Sequence, residues 1–170
     1  HFTAVSAALG ALGPFLLRTL DLSLLEGGFL LAPAGLAGAA AMLFAGRASV
    51  HGRRLRELMV LYAAAGAVGC AMAGANVVVF TLLAVPFAMA LAASQPLLNA
   101  SLLDVARSGE RAGAALGWLF FAEGLGSVVG PIAVGVAIEV LGVRAGVALL
   151  GITFAILGLG AGVAGRTWRI

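Results

Sequence analysis

The stretch VVVFTLLAVPFAMALAASQPLLNASLLD, Val77 to Asp104, meets its first charged side chain only at its last residue. A bilayer core of ~30 Å takes ~20 apolar residues in a helix rising ~1.5 Å per residue, so this stretch crosses with length to spare. Its apolar residues fall on every side instead of alternating. That excludes a barrel strand and leaves a helix that closes its own backbone hydrogen bonds, as hydrocarbon demands.

Working outward, charged or turn-forming clusters cut the rest of the chain into five more runs of this kind. They cover about 2–20, 24–46 and 55–74 before it, and 112–140 and 143–165 after it. Composition agrees: of 170 residues 62% are hydrophobic, 25 more are glycine, and only 10% are charged. Soluble domains carry about a quarter charged residues, so most of this surface faces lipid. The expectation is an all-α membrane protein, one unit over residues 1–170, with six spans and no room for an extramembrane domain. The single cysteine, Cys70, allows no intrachain disulfide. His1-Phe2-Thr3 has neither the basic flank nor the cleavage pattern of a signal peptide, and the chain reads as starting in or just before the first helix of something longer.

Orientation follows from arginine, since the chain has no lysine. With the N-terminus inside, Arg47, Arg53, Arg54, Arg56, Arg107, Arg111, Arg166 and Arg169 are cytoplasmic, and only Arg18 and Arg144 lie outside. Short arginine-rich loops resist translocation, which places both termini of the segment on the cytoplasmic side of a cell (inner) membrane. The net charge of +3 thus reports topology and implies no nucleic-acid surface.

Glycines spaced by four, at Gly113 and Gly117, Gly126 and Gly130, Gly142 and Gly146, and Gly158 and Gly162, put both members on one helix face and favour close backbone packing. Pro14, Pro33, Pro86, Pro96 and Pro131 all fall within spans, where each removes a backbone donor.

Between the second and third spans the chain reads Ala45-Gly46-Arg47-Ala48-Ser49-Val50-His51-Gly52-Arg53-Arg54. This resembles the cytoplasmic G-x-x-x-D-R-x-G-R-R loop of the major facilitator superfamily of secondary transporters. Gly52, Arg53 and Arg54 match, while Ala45, Ser49 and Val50 replace the first Gly, the Asp and the first Arg. Asp104-Val105-Ala106-Arg107-Ser108-Gly109-Glu110-Arg111-Ala112-Gly113 looks like the polar turn before that family's fifth and eleventh helices. The segment from Gly126 through Gly130 and Pro131 to Gly135 is similar to the glycine-proline pattern of the same helices, best known from drug and proton antiporters. The resemblance implies one six-helix half of a twelve-helix carrier, built as two inverted three-helix repeats and working against a second such half. The family's N-terminal half usually carries an arginine within its fourth helix and none stands from Val77 to Leu103, so the resemblance implies the C-terminal half. It also implies a cytoplasmic gating loop at Gly52, Arg53 and Arg54, a small-molecule substrate and a proton gradient in place of any cofactor.

Glu123 stands ~15 Å into the fifth span, where a carboxylate is costly to ionise. It suits either a proton carrier or substrate contact, or a permanently neutral acid bonded to a neighbouring helix. Gln95 and Asn99 are four apart on one face of the fourth span, with Ser94 beside them. They either line a polar cavity or re-satisfy carbonyls freed by Pro96. The resemblance together with the apolar lining implies a hydrophobic or amphipathic solute, exported in exchange for protons. An intramembrane histidine enzyme is excluded because only His1 and His51 exist, and no G-x-x-x-x-G-K phosphate loop or metal-ligand set is present. A channel or a six-helix scaffold remains the alternative.

Overall fold

The computed structural model describes residues 1–48, 53–106 and 109–167, with side chains for 1, 4–48, 53–104 and 113–163. Six helices follow one another: α1 Phe2–Arg18, α2 Leu24–Ala48, α3 Arg54–Ala73, α4 Val77–Ala106, α5 Gly109–Leu141 and α6 Val143–Thr167. No strand occurs among the described residues. The helices from α2 to α6 are each long and apolar enough to cross a membrane, and α1, apolar over Ala4–Arg18, is shorter.

The turns explain where the helices stop. Before α2 the Ser23 N–H and hydroxyl both donate to Glu26 Oε2, at 2.8 and 2.7 Å, and the Glu26 N–H returns a bond to Ser23 Oγ. This reciprocal cap satisfies amide donors that the first turn leaves open, so Glu26 serves the helix start. Asn76 Oδ1 accepts from the Val79 N–H at 3.0 Å and caps α4. Between α5 and α6, Gly142 adopts φ +86°, a left-handed conformation open to glycine, and its N–H closes on the Ile138 carbonyl. All five prolines lie inside helices that continue past them.

Packing pairs helices across the two halves of the chain. The most extensive contacts are α3 with α6, α2 with α4 and α1 with α5, followed by α3 with α4 and α1 with α6. Exchanging α1 with α4, α2 with α5 and α3 with α6 converts α2–α4 into α5–α1 and α3–α4 into α6–α1, and leaves α3–α6 in place. That is the pairing of two equivalent three-helix repeats, and an odd number of helices per repeat makes the second inverted in the membrane. One pair breaks the symmetry: α5 packs on α6, whereas α2 and α3 touch at most marginally among the described residues.

The central crossing, α3 on α6, is built from missing side chains. A Cβ placed on Gly151 would stand 2.5 Å from the Cys70 nitrogen and 2.8 Å from the Gly66 carbonyl oxygen. Lipid offers helices no hydrophobic reason to associate, so such backbone proximity and its dispersion energy hold them. Aromatic rings fill what remains: Phe15 stacks on Phe80 at 5.0 Å between centroids, and Phe154 meets Tyr62 and Phe87. Gly158 likewise approaches the Met59 carbonyl oxygen and Gly162 the Met59 sulfur. Gly113 and Gly117 depart from the close packing expected of them. Both are exposed with no neighbour near, because they lie on the side of α5 opposite its buried Gly126 and Gly130.

Candidate functional site

Three groups of polar side chains stand out against this apolar bundle. At the arginine-bearing end, Arg53 precedes α3 and Arg54 opens it. The Arg54 guanidinium forms an ion pair with the Asp104 carboxylate near the end of α4, and also donates to the Ala100 carbonyl at 3.3 Å. The two side chains are 19% and 27% exposed, enough shielding for the pair to tie α3 to α4 more firmly than a surface pair would. Gly52 and the rest of the turn at 49–52 lie outside the described residues, as do Arg107 and Ser108. The loop and the later polar turn, read from sequence as separate signatures, are thereby joined through Arg54 and Asp104.

The second group lies between α1, α3 and α4. The His1 ring bridges Gln95 Oε1, 3.0 Å from Nε2, and the Tyr62 hydroxyl, 2.8 Å from Nδ1. A carboxamide oxygen only accepts, so Nε2 carries the proton and Nδ1 is left to accept from Tyr62. Ser94 is fully buried and donates to the Leu91 carbonyl of its own helix at 2.7 Å. Gln95 is therefore engaged between helices and Ser94 within its own, whereas Asn99, one turn beyond Gln95, has a buried Oδ1 without a partner among the described residues. Sequence reasoning passed over Tyr62 and set His1 aside. A tyrosine inside an apolar run was the available signal, since a buried phenol hydroxyl needs a partner.

The third group is on α5. Gly126, Gly130, Val134 and Ile138 form its buried stripe, spaced by four, and α1 packs on this helix, with Gly10 close to Pro131 and Val134. Gly135 is exposed with nothing near. At ~100° per residue Glu123 lies within about 60° of Leu119, Gly126 and Gly130. Leu119 and both glycines are buried, yet Glu123 is exposed, and so is every residue from Phe120 to Leu125. For more than a full turn α5 is thus uncovered all round, at the middle of its length. Trp118 and Phe121, in edge contact at 5.7 Å, point to the opposite side from Glu123. Among the described residues no three His, Cys, Asp or Glu side chains converge as a metal site would need.

A family model described as Major Facilitator Superfamily matches residues 1–167. The chain belongs to the Major Facilitator Superfamily. No curated protein and no solved structure matches it. Membership makes it a multi-pass membrane chain of a secondary transporter, with six helices in the arrangement of one half of the superfamily fold. A second half and the lipid bilayer are its structural partners. The exposed apolar faces of α2 and α5, with Phe29, Leu36 and Leu43 on one and Leu125, Ile132 and Val136 on the other, accord with such surroundings.

Proposed function

We propose that the chain is the C-terminal half of a carrier that exports a small hydrophobic or amphipathic solute in exchange for protons by alternating access, with Glu123 as the proton-carrying group. One observation supports this most: Glu123 is an exposed carboxylate midway along α5, on the phase of its buried stripe, in a segment that the half does not cover. A group so placed faces whatever space opens between two halves, and can trade its proton with that space as hydration changes. Asn99 is the companion contact, because its Oδ1, without a partner among the described residues, would accept a bond from a solute donor. On this reading Arg53 and Arg54 brace the cytoplasmic side while the two halves rock.

The test is dye efflux driven by a pH gradient, using the intact transporter in proteoliposomes and a panel of lipophilic dyes. Glu123→Gln abolishes gradient-driven transport while leaving the melting temperature in place, and Glu123→Asp retains part of it. Transport unchanged in Glu123→Gln would remove the proton assignment. Flux that does not saturate and ignores the gradient would favour a channel.

A further inference from the structure

The break in repeat symmetry leaves a groove. Where α5 packs on α6, no comparable packing joins α2 and α3, and with α4 they line a cavity of about 420 Å³ at their arginine-bearing ends. Its composition is graded. Arg53, Arg56 and Glu57 line the end toward water, and Val60, Leu61 and Leu97 line the part toward the membrane interior. Arg54, next in sequence, is turned to Asp104 and does not line it.

We propose that this groove is a binding site for one anionic phospholipid. The headgroup phosphate sits against Arg53 and Arg56, and an acyl chain lies between α2 and α3 on the surface of α4. Two guanidiniums against one carboxylate leave net positive charge at headgroup level, and neither arginine has an ion-pair partner among the described residues. Val60 lies ~9 Å along α3 from Arg54 and Leu97 ~14 Å along α4 from Ala106, so the apolar walls reach to acyl-chain depth. A free phosphate would use the arginines and leave those walls unfilled. A neutral lipid would use the walls and leave the arginines unpaired. Only a molecule with a negative head on a hydrocarbon tail answers both ends. The site concerns lipid alone and does not depend on which solute is carried.

The test is native mass spectrometry of the intact transporter in detergent, titrated with phosphatidylglycerol, phosphatidylcholine or soluble glycerol phosphate. The wild type retains phosphatidylglycerol about ten-fold more strongly than phosphatidylcholine, as two interfacial arginines allow. Arg53→Gln with Arg56→Gln removes that preference, and the same charge loss at Arg18 and Arg144 does not. Leu97→Trp, which fills the groove without touching charge, weakens retention of both lipids. Should the double variant fail to fold, Glu57→Gln tests the same point by strengthening phosphatidylglycerol retention. Equal retention of phosphatidylglycerol by wild type and the double variant, no change in Glu57→Gln, or displacement of the lipid by glycerol phosphate alone would each overturn the proposal.

Discussion

Arg54 at the head of α3 and Asp104 near the end of α4, 50 positions apart in the chain, form an ion pair that fastens two helices of different repeats. The loop before α3 carries Ser49 where the family pattern has an acid. In this chain Asp104 supplies the carboxylate that faces the second arginine of the pair.

Removing that carboxylate takes the Asp104 counter-charge from a partly shielded guanidinium. Asp104→Asn is expected to destabilise the chain by about 1–3 kcal/mol, between the values for surface and buried pairs. Thermal unfolding in detergent measures it. The reversed pair, Arg54→Asp with Asp104→Arg, recovers part of the loss, which two independent side chains would not do.

At the α3–α6 crossing, Gly151→Val forces bulk into backbone that already touches Cys70 and Gly66. The cost is about 2–3 kcal/mol, or a failure to accumulate in the membrane. Gly117→Val, on an open helix face, changes stability by less than ~0.5 kcal/mol. The same unfolding assay compares them.

Tyr62→Phe deletes the hydroxyl that His1 Nδ1 accepts and leaves the ring packing against Phe154 intact. The expected loss is about 1 kcal/mol, as for one hydrogen bond. Gln95→Leu, which removes the other partner of the same ring, adds less on top of Tyr62→Phe than it costs alone, because both act through His1.

Asn99→Leu separates stability from function. Replacing an unpartnered buried oxygen by hydrocarbon leaves the melting temperature equal or higher, while the apparent affinity for transported dye falls several-fold. A fall in both would mean that Asn99 is a structural glue residue.

Helix positions were legible in the sequence because hydrocarbon forces each backbone group to be satisfied within its own segment, so the length of an apolar run is the length of a helix. The ends were less so: α5 begins at Gly109, before its apolar run, since the polar segment is helical up to Ala106 and again from Gly109. Helix pairing was not legible. Runs apolar on all sides carry no face signal, and four-residue glycine spacing marks a small-residue face without naming what stands opposite. Hence Gly113 and Gly117 are open, while Gly66 and Gly151, in no such spaced pair singled out, make the closest approaches to a neighbouring backbone. Of the candidate site, Glu123 was visible as a charge amid hydrocarbon, but the engagement of Gln95 with His1 depends on a contact between residues 94 positions apart.

The most direct measurement is substituted-cysteine labelling of intact cells with a membrane-impermeant maleimide, in a Cys70→Ser background. Ser23→Cys, before α2, and Asn76→Cys, before α4, should label from outside, and Ala48→Cys, at the end of α2, only after permeabilisation. Labelling of Ala48→Cys from outside, or Ser23→Cys and Asn76→Cys on opposite sides, would contradict an inverted-repeat bundle with its arginines in the cytoplasm.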